Sequence, residues 1–353
     1  MPSEKVQFKN DQGHLLSGKL ELPLKKEPYP YAIFAHVFTG NKNLKAARHI
    51  SRALNLEGIA VLRFDFTGLG ESEGDFSDTN FSTNVDDIKA AAHFLEENYL
   101  APSIIIGHSL GGAAALYAGA EMKSVKAVAT LGAPFQPEHV THLIGDSIDE
   151  IHEKGAAIIT LDNREFTIRK HFIEDLSRKN TLEIIKDFRK ALLILHSPQD
   201  KVVEIENAAK MYHAAHHPKS FVTLNGANHM LNKKEDAYYA GSVIASWVQR
   251  YVEQEEPEKL RTSKQVMVKL ENDGFTTEIM AGNHGIVADE SEKLGGNDFG
   301  PSPYELLNAS LGACTAMTLQ MYARRKKWPL ETVRVHLSFA RKYAEDCKEC
   351  ENP

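Results

Sequence analysis

Short apolar runs alternate with longer amphipathic stretches through the first 254 residues of the chain. The runs are rich in Val, Ile, Leu, Phe and Ala, which is typical of buried strands, and the stretches between them repeat apolar residues at helical spacing. This alternation predicts βαβ units and a mostly parallel sheet, so the expected fold class is α/β. The predicted strands are 31–36, 59–64, 103–106, 125–131, 191–196 and 220–224, the predicted helices are 44–56, 84–98, 110–121, 203–215 and 235–253, and an edge hairpin is expected over 6–8 and 15–22.

The alternation of strands and helices lapses between residues 135 and 190. Helical segments there surround an apparent hairpin over 157–160 and 165–168. An insertion of this size between two strands of a sheet is usually a cap over an active site. We therefore predict a small lid over about 135–190, the alternative being a surface excursion without a role.

A charged stretch without periodicity over 255–264 predicts a linker. It separates the α/β domain, residues 1–254, from a second domain over 265–353. The second domain reads as α+β, and two domains agree with about 150 residues per domain. Its predicted elements are strands over 265–271, 275–280, 284–288 and 332–340, and a long helix over 304–325.

Charge and composition exclude several classes of protein. The 41 Lys and Arg residues against 48 Asp and Glu give a net charge of −7. The chain therefore lacks the excess of basic residues that binding to nucleic acid or an anionic membrane requires. No stretch approaches the roughly 18 apolar residues of a spanning helix, and no secretory signal pattern opens the chain. All 3 cysteines lie in the last forty positions, which suits a reducing compartment. We expect a cytoplasmic protein without nucleic-acid partner, membrane partner, metal or cofactor.

A serine stands between glycines where a predicted strand meets an Ala-rich helix, in Gly107-His-Ser109-Leu110-Gly111. This pattern predicts a nucleophile elbow, in which a tight turn projects the serine hydroxyl above the sheet. The helix behind it would place the Leu110 N–H where an oxyanion forms. Since G-x-S-x-G is common by chance, the strand and helix around it supply the specificity.

A serine hydroxyl needs a base to take its proton and an acid to orient that base. In this fold class both follow the serine, acid first, on loops at the carboxyl ends of strands. Asp200 follows strand 191–196 and His229 follows strand 220–224; a turn aspartate and a surface histidine are the alternatives. We predict a triad of Ser109, Asp200 and His229, with a second oxyanion N–H from Phe38 in the loop after strand 31–36.

With these motifs, residues 1–254 resemble an α/β-hydrolase of the serine esterase and aminopeptidase-like group. The resemblance implies hydrolysis of a small-molecule ester or thioester through an acyl-enzyme. Ser109 would attack, His229 would shuttle the proton, and Asp200 would hold the imidazole tautomer. The insertion at 135–190 would be a lid similar to those of acyl and cinnamoyl esterases, and its apolar residues favour short to medium acyl esters.

Residues 265–341 resemble the first part of an OsmC/Ohr-type domain, through the sequence Pro301-Ser-Pro-Tyr-Glu305 and a cysteine, Cys314, nine residues further on. The resemblance implies a homodimer formed through this domain, and a peroxidatic thiolate at Cys314 with Glu305 in its polar surroundings. Helical spacing puts Cys314 on one face with Leu307 and Leu311, which predicts burial. The second cysteine of that family follows further strands and a helix, so we expect an incomplete domain.

Our leading hypothesis is a serine carboxylesterase, and two others stay open. One is a thiol peroxidase, or organic hydroperoxide reductase, centred on Cys314 with the hydrolase as an accessory. The other is a dimerisation module that carries a vestigial hydrolase. The remaining cysteines, Cys347 and Cys350, fit a local redox pair, a metal pair or two solvated thiols, and we favour the last.

Overall fold

The structure, a computed structural model, describes residues 3–23, 29–145, 147–161, 163–252, 263–270, 274–296 and 298–339. The chain divides into two compact units, the first spanning Met1–Pro257 and the second Glu258–Pro353. The division falls inside the predicted linker, most of which lies outside the described residues.

An eight-stranded sheet, mostly parallel, forms the centre of the first unit. The strands of this unit are β1 (Ser3–Lys9), β2 (Leu15–Glu21), β3 (Tyr31–Ala35), β4 (Ala60–Phe64), β5 (Ile104–His108), β6 (Ala127–Leu131), β7 (Ala156–Leu161), β8 (Arg164–Arg169), β9 (Ala191–His196) and β10 (Lys219–Thr223). The sheet order is β1-β2-β4-β3-β5-β6-β9-β10. Strands β1 and β2 run antiparallel at one edge, and the other six run parallel. The predicted α/β fold is confirmed.

Helices cover both faces of this sheet, as the buried central strands require. The helices are α1 (Lys45–Leu56), α2 (Phe81–Asn98), α3 (Leu110–Glu121), α4 (Ser147–Lys154), α5 (Lys170–Ser177), α6 (Thr181–Asp187), α7 (Glu206–Ala214) and α8 (Lys234–Val248). Helices α1 and α8 share a core with one face, and α2, α3 and α7 share a core with the other. Successive strand residues supply the two cores in turn: Ile33 and Ile105 belong to one, and Phe34 and Ile106 to the other.

The predicted lid region contains a short 3₁₀ helix (Pro137–Leu143), helices α4 to α6 and the antiparallel hairpin β7–β8. The predicted hairpin is present, with Ala157 opposite Ile168 and Thr160 opposite Glu165. Ile159 and Ile168 are buried in the same core as the sheet, whereas Ile158 points outward and is exposed. The hairpin is therefore packed on the body of the first unit by one face.

The second unit contains a three-stranded antiparallel sheet and one long helix among its described residues. The elements are β11 (Val266–Leu270), β12 (Thr277–Ala281), β13 (His284–Ala288) and α9 (Pro303–Lys326). The strand predicted over 332–340 is wrong for its described part, because residues 332–339 carry no strand assignment. A strand needs a neighbour for its backbone groups, and this segment lies along α9 instead, where the ring of Phe339 stacks on that of Tyr304 at 4.2 Å.

The predicted burial of the Cys314 face is also wrong. Cys314 is exposed, and Leu307 and Leu311 are 66% and 57% exposed. Helical spacing shows that residues share a face, but a second element must pack there before the face is buried. Within the described residues, no helix of either unit is long and apolar enough to cross a bilayer.

Candidate active site

Ser109 occupies the tight turn between β5 and α3. Its backbone has φ 56° and ψ −127°, a conformation that non-glycine residues rarely adopt and that needs support from its surroundings. A Cβ atom on Gly107 would lie 2.3 Å from the carbonyl oxygen of Gly111, and one on Gly111 would lie 2.3 Å from that of His36. Both positions therefore require glycine, and the sharp turn forms the predicted elbow.

The structure brings the three predicted triad residues together from separate loops. The Nε2 atom of His229 lies 3.0 Å from the Ser109 Oγ, and its Nδ1 atom lies 2.7 Å from an Asp200 carboxylate oxygen. A carboxylate can only accept, so Nδ1 carries the proton and Nε2 presents a lone pair to the serine hydroxyl. This arrangement is that of a serine nucleophile, a general base and an orienting acid.

Asp200 is fixed on both of its carboxylate oxygens. Oδ2 accepts from His229, and Oδ1 accepts the N–H groups of Val202 and Val203 at 2.9 and 3.0 Å. Burial acts to raise the pKa of Asp200, but the hydrogen bonds and the His229 ring outweigh it, so the pKa lies below its ordinary value. The carboxyl is therefore ionised whenever the imidazole needs it as an acceptor.

Two buried histidines flank the Asp200–His229 pair, and sequence reasoning gave neither of them a role. His108 donates from Nε2 to the carbonyl of His229 at 2.7 Å, and His196 donates from Nε2 to the carbonyl of Val203 at 2.7 Å. Burial lowers the pKa of His108 to about 3 and also lowers the pKa of His196, so both rings are neutral donors. The signal was their place at the end of a buried strand, where a polar side chain must find a partner.

Phe38 and Leu110, the predicted oxyanion donors, lie on two segments that contact each other at the elbow. Phe38 belongs to a turn over residues 37–40, closed by a 3.0 Å bond from the Gly40 N–H to the Val37 carbonyl. Leu110 is the first residue of α3. In the described part of the chain, neither amide donates to a backbone carbonyl, as an oxyanion hole requires.

A buried charged group holds the loop that follows this turn. One carboxylate oxygen of Asp65 accepts the Lys42 N–H at 2.6 Å, and the other bonds the Lys42 Nζ atom and the Glu71 N–H. The Lys42 and Asp65 side chains are 4% and 1% exposed, so the pair is shielded from water, and removal of Lys42 would leave the buried Asp65 carboxylate without the cation that it pairs with.

Aromatic side chains form a wall from the turn over residues 37–40, called the oxyanion turn below, to the predicted lid region. The Phe38 ring lies 5.8 Å from that of Phe76 and 5.6 Å from that of Phe172, and Phe76 lies 5.2 Å from Phe166. The guanidinium of Arg164 lies 5.1 Å from the centre of the Phe166 ring. Phe172 is buried, whereas Phe38, Phe76 and Phe166 remain partly exposed and form an apolar surface beside the turn.

The candidate residues of the second unit are not brought into a comparable site. Glu305 accepts hydrogen bonds from the N–H and hydroxyl of Ser302, which makes it part of the N-terminal capping box of α9. Nine helical residues place it about 13 Å along the axis from Cys314. Cys347 and Cys350 lie outside the described residues. Among those described, no group of three His, Cys, Asp or Glu side chains is arranged to hold a metal ion.

Two family models match the chain: one described as serine aminopeptidase, S33, over residues 40–156, and one described as OsmC-like protein over residues 295–349. The esterase domain of a Rhodothermus marinus protein is 45% identical, with a TM-score of 0.59, over 71% of this chain and 99% of that one. Est1E from Butyrivibrio proteoclasticus, solved with ferulic acid, is 23% identical, with a TM-score of 0.61, over 70% and 98%. At that identity it supports the fold alone.

A curated relative is the mitochondrial palmitoyl-protein thioesterase ABHD10 of Rattus norvegicus, 26% identical over 181 residues. This match spans 49% of the chain and 60% of the rat protein, so more than a third of that protein has no counterpart in it. The esterase domain of Rhodothermus marinus, in contrast, is matched over nearly its whole length. The chain therefore belongs to the esterase-like α/β-hydrolase family and carries an OsmC-like domain towards its C-terminal end.

Proposed function

We propose that the chain is a serine carboxylesterase that cleaves short to medium acyl esters through an acyl-Ser109 intermediate. The observation that carries this proposal is the continuous hydrogen-bonded path from Ser109 through His229 to Asp200. The three side chains come from loops after three different strands, so their meeting follows from the sheet rather than from a local sequence pattern. Geometry of this kind activates a serine hydroxyl.

The proposed reaction has two balanced halves. In the first, the Ser109 oxygen adds to the ester carbonyl while its proton moves to Nε2 of His229, and the N–H groups of Phe38 and Leu110 bind the oxyanion. Collapse breaks the ester C–O bond, and the imidazolium gives its proton to the departing alcohol. In the second half, His229 takes a proton from water, hydroxide attacks the acyl-serine, and the carboxylic acid leaves as the serine regains its proton.

The aromatic wall supports an apolar acyl group as the recognised part of the substrate. Phe38, Phe76 and Phe166 are partly exposed and contribute apolar area that begins at the proposed oxyanion donor, and burial of one acyl methylene is worth about 0.8 kcal/mol. A thioester would react by the same steps, and the rat relative is named a thioesterase. A panel of p-nitrophenyl esters and acyl thioesters of increasing length separates the two classes by kcat/KM.

Replacement of Ser109 by Ala tests the proposal. We expect hydrolysis of p-nitrophenyl butyrate to fall at least about 10³-fold, because removal of the nucleophile leaves only the catalysis of the binding site. Labelling of the wild-type chain by a fluorophosphonate probe should vanish in the variant, with little change in the midpoint of thermal unfolding.

The matched control is Ser124→Ala, which removes a hydroxyl from the loop between α3 and β6. This variant should keep both activity and labelling. Turnover by Ser109→Ala close to that of the wild-type chain would contradict the proposal.

A further inference from the structure

Thr39 lies at the tip of the oxyanion turn with a backbone φ of 56°. It is a β-branched residue, 5% exposed, in a region of conformational space that favours glycine. Such a backbone persists only where surrounding contacts hold it, and strained positions concentrate at functional sites. The contacts that hold the turn therefore bear on the position of the neighbouring Phe38 N–H.

The body of the first unit holds the two ends of this turn. The His36 ring donates from Nδ1 to the Val37 carbonyl at 2.8 Å, and the Gly40 N–H donates to the same oxygen. Beyond the turn, the Lys42 N–H donates to Asp65. These contacts fix where the turn begins and where it ends, and the Thr39 carbonyl lies between them.

The predicted lid region contacts the tip of this turn at Thr39. The guanidinium of Arg164, the first residue of β8, donates to the Thr39 carbonyl. The same guanidinium lies over the Phe166 ring at 5.1 Å, which restricts where the long side chain can go. The lid also reaches the turn through Phe172, whose ring lies 5.6 Å from that of Phe38.

We infer that Arg164 is a positioning residue, which holds the strained turn so that the Phe38 N–H faces the oxygen of the reacting carbonyl. The inference rests on the proposed function of Ser109. A guanidinium is always charged and makes stronger hydrogen bonds to a carbonyl than a neutral donor. With its peptide held by Arg164, Thr39 keeps its left-handed conformation, and the preceding amide keeps its direction. Arg164 thereby couples the lid hairpin to the proposed oxyanion hole.

An alternative role for a basic residue at this place is to bind a substrate carboxylate. The other two basic residues beside the hairpin have partners, since Arg169 pairs with Asp78 and Lys170 with Glu174. Arg164 instead donates from its guanidinium to a backbone carbonyl, that of Thr39. A positioning role predicts a change in kcat, whereas a carboxylate-binding role predicts a change in KM that is confined to anionic esters.

The first test replaces Arg164 by Met, which keeps an unbranched apolar stem and removes the guanidinium with its donors. With neutral p-nitrophenyl butyrate we expect kcat to fall about tenfold, less than the roughly 10²–10³-fold cost of removing an oxyanion donor outright, with KM changed less than about twofold. Arg164→Lys should recover part of the loss, because the charge remains while the planar fork is lost. Arg169→Met is the matched control on the same strand and should keep kcat.

The second test combines Arg164→Met with Thr39→Gly. Glycine adopts a positive φ without steric cost, so the turn no longer depends on the guanidinium. We expect Arg164→Met to lower kcat less than about twofold in the Thr39→Gly background. An equal loss in both backgrounds, or a loss expressed only in KM for anionic esters, would overturn the inference.

The outcome also separates this inference from the proposed function. Absence of turnover and of Ser109 labelling in the wild-type chain defeats the proposed function. The same four chains, compared by thermal unfolding midpoints, then decide the coupling: non-additive midpoints support a coupling between the Arg164 guanidinium and the strained backbone at position 39, and additive midpoints overturn it.

Discussion

Two helices that both carry Ala and long apolar side chains, α3 and α9, have opposite surroundings. Helix α3 is almost wholly apolar, whereas α9 mixes its apolar residues with polar and charged ones. In α3 every residue from Leu110 to Gly119 is buried, because the helix packs against the sheet and α2. In α9, all of which is described, Ala323 is the one buried residue. Apolar side chains are present on both helices, and they are buried only where a second element covers them.

The difference extends to the two candidate nucleophiles. Ser109 begins a covered helix, and its neighbours fix its base, its acid and the backbone around it. Cys314 is in the middle of an exposed helix face. The pairing of the second unit with a second copy of the chain stays a prediction, which the molar mass in solution measures.

The largest expected effect contrasts Asp200→Asn with Cys314→Ser. An asparagine amide at position 200 would favour the wrong imidazole tautomer, so kcat for p-nitrophenyl butyrate should fall about 10⁴-fold. Cys314→Ser should leave ester hydrolysis unchanged. A thiol peroxidase centred on Cys314 would instead consume an alkyl hydroperoxide rapidly with a dithiol reductant, and Cys314→Ser would remove that activity.

A smaller effect separates two helix glycines. A Cβ on Gly111 would lie 2.3 Å from the His36 carbonyl oxygen, a backbone atom of a buried loop, so Gly111→Ala should lower the free energy of unfolding by about 3 kcal/mol. A Cβ on Gly312 of α9 would meet only side-chain ends, those of Leu337 at 3.3 Å and Val335 at 4.0 Å. Gly312→Ala should change stability by less than about 1 kcal/mol, because alanine also favours the helix. Urea denaturation compares them, and equal losses would contradict the contrast.

The smallest effect is the pH dependence of the stability of the first unit. Burial lowers the pKa of His36 to about 4 and that of His108 to about 3, whereas both rings have pKa values of about 6.5 when unfolded. The unfolded chain then binds more protons below pH 6.5, and stability falls as the pH falls. Between pH 6.5 and 5.5 we expect a loss of about 2 kcal/mol from the two rings together.

His108→Gln sharpens this prediction, because it removes one titrating ring while keeping a side-chain donor. The loss of stability between pH 6.5 and 5.5 should then fall by about half. Urea denaturation at the two pH values provides the measurement, and an unchanged loss would mean that His108 does not stay neutral in the folded chain.

Local sequence signals were sufficient to select three candidate residues that the structure brings within hydrogen-bonding distance. Gly107 and Gly111 marked the elbow, and Asp200 and His229 each followed a strand whose carboxyl end lies at the same edge of the sheet. The contact between His108 and the His229 carbonyl joins residues 121 positions apart. It depends on the path of a whole loop, which no local pattern encodes.

The errors in the second unit have one physical cause. The pattern over 332–339 predicts extended backbone, and the pattern over 304–325 predicts a helix with an apolar face. Neither pattern indicates which element would pair with the strand or cover the face of the helix. Whether a strand finds a neighbour to bond, and whether a helix face is covered, depends on how the whole unit folds. The contact of Arg164 with Thr39 is of the same kind, because it joins a lid hairpin to a turn 125 residues away.

His108 connects two loops, since its backbone directly precedes Ser109 and its imidazole donates to the carbonyl of His229. Anyone who grafts the 225–232 segment of a relative onto this chain would have to graft the residue before the serine as well. Transferred alone, the segment would lack the imidazole that bonds the carbonyl of residue 229, and a chain that keeps Ser109, Asp200 and His229 would no longer hold them in register.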